Sequence, residues 1–221
     1  MRRIFKVAKF HPWIGCHYDK VHLGVRLLIL GESHYSWPGG LKFRTETTRQ
    51  ALLGGRDEHR FWTRLETLLT PYQPKNTGRP WDSVCFYNYV QHFVGDSARK
   101  RPSGRMWASK PTIQGFREVL NQCKPDLVLG VGKENWRMLP SHVEYPDCPP
   151  LPEPSFGLPD SFCRGLDVEK EGHAFWYSTG RDSYALCTPI FHPAYPRGFH
   201  TPETVLVLKR LLDKRWRSPS R

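Results

Sequence analysis

Two apolar runs far apart in the chain each stop at residues able to do acid–base or electrostatic chemistry. This pairing limits the possible folds more than any other feature. The first run is Val25-Arg26-Leu27-Leu28-Ile29-Leu30, which leads into Gly31-Glu32-Ser33-His34-Tyr35. The second is Tyr184-Ala185-Leu186-Cys187-Thr188-Pro189-Ile190-Phe191, which leads into His192-Pro193-Ala194-Tyr195-Pro196-Arg197-Gly198. A short, nearly continuous apolar run marks a strand buried on both faces of a sheet. In an open α/β sheet, ligands bind outside the carboxyl ends of the strands. Two such ends can bring Glu32 and His192 to one cleft.

The rest of the chain fits crossover units. Residues 84–90 and 126–131 read as two further strands, rich in Val, Leu and aromatics. Residues 46–70 read as helical, with a break near Gly54-Gly55 and an end at Pro71. Helices are also expected over 111–123, opened by Pro111, and from Lys133 to Leu139. The last helix is expected from Pro202 to about Lys214, with Val205, Leu208, Leu211 and Leu212 facing the core. Residues 174–179 and 183–191 pair as a hairpin around Gly180-Arg181-Asp182. Strand and helix alternate, so a three-layer α/β/α sandwich is expected, with a mainly parallel sheet of four strands near 26–31, 84–90, 126–131 and 184–191. Seven prolines and seven acidic residues between Pro140 and Glu171 mark an irregular insertion in one domain of 221 residues.

Thirty-three Lys and Arg against 21 Asp and Glu give a formal charge of +12. That favours a polyanion such as nucleic acid as partner, although a merely basic soluble protein is the plainer alternative. The six cysteines form no C-x-x-C pair, and no secretory signal or long apolar run is present. A monomeric, cytoplasmic protein with free thiols and no membrane segment is expected. No ligand spacing supports a metal. A nucleotide-processing α/β enzyme of another kind has less support, because there is no P-loop and no G-x-G-x-x-G.

Four motifs, in order, resemble those of the uracil-DNA glycosylase superfamily. Gly31-Glu32-Ser33-His34-Tyr35 stands where that superfamily has its water-activating loop, as in G-Q-D-P-Y and G-E-A-P-G. Val84-Cys85-Phe86-Tyr87-Asn88-Tyr89-Val90 is similar to the strand that delivers a uracil-reading Asn. Pro125-Asp126-Leu127-Val128-Leu129-Gly130-Val131-Gly132 is similar to P-K-x-I-x-x-L-G, and His192-Pro193-Ala194-Tyr195 to the H-P-S-Y of a DNA-intercalating loop. The resemblance covers roughly residues 25–212. It implies hydrolysis of the N-glycosidic bond of a base flipped out of DNA.

On that resemblance, Glu32 is the carboxylate near the sugar and His192 donates to the charge developing on the pyrimidine O2. Asn88 reads the base, because its amide can accept from uracil N3–H and donate to O4. Phe43 stacks on the base, Tyr35 crowds the position of a thymine methyl, and Ser33 and His34 line the same pocket. Tyr195 and Arg197 fill the hole left by the flipped base. Arg99, Lys100, Arg101 and Arg105 contact phosphates in a stretch with no acidic residue between Asp96 and Glu118. One branch of the superfamily holds an iron–sulfur cluster. Here a second cysteine near Cys16 is missing and His92 stands at a cysteine position, so no cofactor is expected. Ser33 replaces the pattern's Asp, His34 its Pro and Ala194 its Ser. These departures keep a second reading open: a member that binds nucleic acid or a nucleobase but has lost or changed its catalysis.

Overall fold

The computed structural model describes residues 3–36, 46–55, 60–97, 99–140, 174–180, 183–194 and 202–213. The strands are β1 (Trp13–Ile14), β2 (Leu27–Gly31), β3 (Val84–Asn88), β4 (Leu127–Val131), β5 (Phe175–Gly180) and β6 (Ser183–Ile190). The helices are α1 (Thr47–Gly55), α2 (Arg60–Leu69), α3 (Gly104–Trp107), α4 (Lys110–Cys123), α5 (Lys133–Met138) and α6 (Pro202–Asp213).

One six-stranded sheet runs in the order β1-β3-β2-β4-β6-β5. Its centre, β3-β2-β4-β6, is parallel, and β1 and β5 close the edges antiparallel. The expected four strands are this centre, and the sheet has two more. β1 has only two residues, too short to show any period, and pairs Trp13 with Phe86. β5 is the first arm of the expected hairpin, and it joins the same sheet.

Every residue of β2, β3 and β4 is buried. The reason is that apolar side chains cover both faces of these strands. Leu27, Ile29, Phe86 and Leu129 face one core with Leu52 of α1, Phe61, Trp62 and Leu65 of α2, and Leu208 and Leu211 of α6. Leu28, Leu30, Tyr87 and Val128 face a second core with Trp107 of α3, Phe116 and Leu120 of α4, and Trp136 of α5. The period of two sends neighbours in each strand to opposite cores. In α6 one expectation fails. Val205 is 44% exposed, and Val207 is buried in its place.

Pro189 sits in a strand with a neighbour on each side, yet a proline cannot donate to a ladder. The pairing of β5 with β6 extends only to Cys187, so Pro189 lies where only β4 runs alongside, opposite Gly130. At the start of β2 and β4, Arg26 clamps Asp126 through Nε (3.1 Å) and Nη2 (2.7 Å).

The chain leaving β2 goes to β3 on one side of it, and the chain leaving β4 goes to β5 and turns back into β6 on the other. The strand order therefore reverses between β2 and β4, and in open α/β sheets the ligand crevice lies beyond the carboxyl ends at such a point. No helix among the described residues is long and apolar enough to cross a membrane.

Candidate functional site

Glu32, Asn88 and His192 stand at the carboxyl ends of β2, β3 and β6, in one sheet. The loop after β2 is extended and held at each step. Tyr89 N–H donates to Gly31 O (2.9 Å), Val90 N–H to Glu32 O (2.9 Å) and Val94 N–H to His34 O (3.0 Å). His34 bridges to Phe93 as a short continuation of the parallel pairing. Backbone pairing of this kind fixes the loop without a helix or a tight turn.

Asn88 pairs in register with Gly31, and its amide lies over that glycine. A methyl group at residue 31 would collide with Asn88 Oδ1. The amide is 7% exposed, and its Nδ2 donates to Ser33 O (3.0 Å) and lies 3.3 Å from His34 Nε2. The other nitrogen contact is Thr48 Oγ1, 3.0 Å from the same Nε2. His34 is fully enclosed, with Phe10 edge-on at 4.9 Å. Burial lowers its pKa from 6.5 to about 3, so the ring is neutral across the physiological range.

Glu32 keeps a side chain only 11% exposed. Burial raises its pKa above the ordinary carboxylate range, Arg101 opposes that rise, and the nearby Glu134 carboxylate adds to it. Arg101 Nη1 is 3.3 Å from Glu32 Oε1 and itself 63% exposed, so the pair reaches the protein surface. Ser33 Oγ makes a longer bond of 3.5 Å to the same oxygen. Tyr35 is half-buried beside them, and burial raises its phenol pKa against bonds from Ser33 and Arg101.

His192 packs against Gly132, whose φ of 92° lies in the region that favours glycine. A Cβ there would lie 3.3 Å from both Cβ and Cδ2 of His192. The ring of Phe61 is 5.3 Å away. Ala194 N–H donates to His192 Nδ1 at 3.2 Å. A ring nitrogen that accepts an N–H carries no proton, so the neutral ring holds its proton on Nε2 and that nitrogen is a donor. Arg64 Nη1 bonds Pro193 O at 2.6 Å and ties the loop to α2.

Asn88 and His192 belong to β3 and β6, three strand spacings apart, roughly 14 Å between backbones. The amide leans over Gly31 and the imidazole abuts Gly132, which narrows the gap from both sides. β2 and β4 lie between them, and the bare backbone of Gly31 and of Gly132, just past β4, makes room for these two side chains.

Arg99, Lys100 and Arg105 are exposed beside Arg101. Phe43, Tyr195, Arg197 and most of the 140–171 insertion lie outside the described residues. His92 bonds Ser109 Oγ at 3.0 Å, and no group of three or more His, Cys, Asp or Glu among the described residues could hold a metal. Cys16, Cys85, Cys123 and Cys187 are free thiols. Sequence reasoning missed Arg64, Thr48 and Glu134. Each sits on a helix next to the site in space but not in sequence, and no local pattern marks it. The chain matches no protein-family model and no curated protein.

Proposed function

We propose that this chain is a DNA glycosylase that hydrolyses the N-glycosidic bond of uracil or a related damaged base flipped out of DNA. The observation that carries the reading is the convergence of three groups at the reversal point of one sheet. These are the buried Glu32 carboxylate, the Asn88 amide and a His192 that holds its proton on Nε2. The two cores on opposite sheet faces support a three-layer α/β/α arrangement around that site. The protein in this reading is a cytoplasmic monomer acting on DNA without a cofactor.

The base enters between Asn88 and His192, with the amide at its N3 edge and the imidazole at O2. As the C1′–N1 bond breaks, the sugar becomes cation-like and the pyrimidine carries the electron pair. Glu32 stabilises the cation and orients the water whose oxygen bonds C1′. The Nε2–H of His192 stabilises the charge on O2. The released water proton ends on the base or on Glu32. Arg99, Lys100, Arg101 and Arg105 meet phosphates, and Tyr195 and Arg197 fill the vacated stack.

The Arg101–Glu32 ion pair favours a second reading, a binding protein without catalysis, because Arg101 neutralises the carboxylate that should face the cation. One experiment separates the two. Labelled oligonucleotides containing uracil, hypoxanthine or xanthine are incubated with excess protein and cleaved with alkali to reveal abasic sites. Under the first reading His192→Ala lowers the single-turnover rate roughly 10²–10³-fold with nearly intact DNA affinity. Glu32→Gln lowers it comparably or less. The acid limb of the wild-type rate lies above the ordinary carboxylate range, because only ionised Glu32 serves and burial raises its pKa. Tight binding with no excision of any of these bases favours the second reading. A His192→Ala rate equal to wild type removes the mechanism.

A further inference from the structure

The Asn88 amide is held in one orientation by groups that leave it a single function. Ser33 O accepts from its Nδ2 at 3.0 Å. A carbonyl oxygen cannot donate, so the edge of the amide facing Ser33 must be the NH₂, and Oδ1 must face the other way. The remaining proton of that NH₂ points at His34 Nε2, 3.3 Å away. Burial keeps His34 neutral, and in its Nδ1–H tautomer Nε2 is the nitrogen that accepts this proton. Thr48 Oγ1 at 3.0 Å and the edge of Phe10 at 4.9 Å stop the imidazole from swinging aside. Both amide protons are then spent inside the protein. Oδ1 lies over Gly31, and no donor among the described residues bonds it.

We infer that His34 is a specificity-positioning residue that makes Asn88 an acceptor-only reader, so the site selects bases by a ring N–H and leaves O4 unread. This rests on the glycosylase reading of Asn88 and narrows it. The substrate class is the bases that present a lactam or imide N–H on the pairing edge: N3–H of uracil and N1–H of the 6-oxopurines. Cytosine N3 and adenine N1 bring a lone pair against Oδ1 and are refused. A complete two-point reader, with a donor for O4 as well, would hold uracil more narrowly.

The test uses full-length protein and DNA carrying uracil, 4-thiouracil or N3-methyluracil. 4-Thiouracil keeps the N3–H but has a sulfur that accepts poorly, whereas N3-methyluracil loses the N–H. The readout is the ratio of single-turnover efficiencies, uracil over 4-thiouracil, compared between variants so that the intrinsic reactivity of the thio base cancels. In wild type N3-methyluracil is expected to lose roughly 10- to 100-fold, and the uracil over 4-thiouracil ratio is the reference for the variants. In His34→Leu, the amide regains a proton for position 4 and the ratio is expected to rise about fivefold or more. His34→Gln, whose carbonyl can accept the same proton, is expected to restore the wild-type ratio. A merely structural His34 would lower both efficiencies together and leave the ratio unmoved. An unmoved ratio in a folded His34→Leu protein overturns the inference, and so does wild-type excision of N3-methyluracil as fast as uracil. If wild type acts on uracil and either result is found, only the inference falls. If wild type neither binds nor excises uracil above undamaged DNA, the glycosylase reading falls and the inference with it.

Discussion

His34 shows how one residue can set both a binding preference and a pH dependence. Its ring is buried and neutral, with a pKa lowered from 6.5 to about 3 by loss of solvation. Between those values the unfolded chain binds a proton that the folded chain does not. Stability therefore rises with pH across that window. It is complete above about 6.5 and is lost progressively as the pH falls toward 3. His34→Gln removes the titration and keeps an acceptor for Asn88. Urea unfolding at pH 7 and pH 4.5 is expected to show that wild type loses on the order of 2 kcal/mol more than the variant between the two. Equal acid losses would mean that His34 charges without unfolding its surroundings. Glu32 works in the opposite sense. Burial raises its pKa, so its ionised form at neutral pH costs folding energy, a cost often retained where chemistry needs the charge.

At the scale of elements, α2 places His192 more than the strand that carries it. β6 ends at Ile190, and the residues beyond it have no ladder to hold them. α2 provides the hold. Phe61 packs on the imidazole and Arg64 bonds Pro193 O at 2.6 Å. Removing that bond should let the imidazole wander from its donor position without unfolding the sheet. Arg64→Ala is expected to lower the single-turnover rate roughly tenfold, well short of the loss in His192→Ala, with DNA affinity changed little. Arg64→Lys, which keeps one donor, is expected to recover part of that rate. Single-turnover kinetics beside a binding titration measure both quantities. A rate in Arg64→Ala equal to wild type would show that α2 does not position the imidazole.

For the whole molecule the decisive property is charge. A formal charge of +12 makes association with a polyanion favourable at a distance. The exposed cluster Arg99, Lys100, Arg101 and Arg105 concentrates part of it beside the crevice. Each phosphate neutralised contributes about −0.7 to −0.9 to the slope of log K against log salt. Replacing Arg99, Lys100 and Arg101 together with Ala is expected to flatten that slope by roughly 2. A titration of DNA binding over a range of salt concentrations reads it directly. An unchanged slope would assign the cluster to solvent and move the DNA path elsewhere on the molecule.

The sequence alone determined the parallel centre of the sheet, because strands buried on both faces must be apolar at nearly every position, and β2, β3 and β4 are. It also marked Glu32 and His192, because each follows such a run, whereas Asn88 stood out only through the resemblance of its strand. It could not show β1, whose two residues carry no period, nor that Val207 rather than Val205 turns inward in α6. The tertiary structure alone decided the chemistry of the site. Burial raises the Glu32 pKa, Arg101 reaches it from 69 residues away, and Ser33 O and His34 Nε2 lie against the Asn88 amide nitrogen. These are properties of distance and solvent exclusion between residues remote in the chain. No local pattern encodes them, because hydrogen bonds and desolvation depend on what the fold places around a group and not on what precedes it.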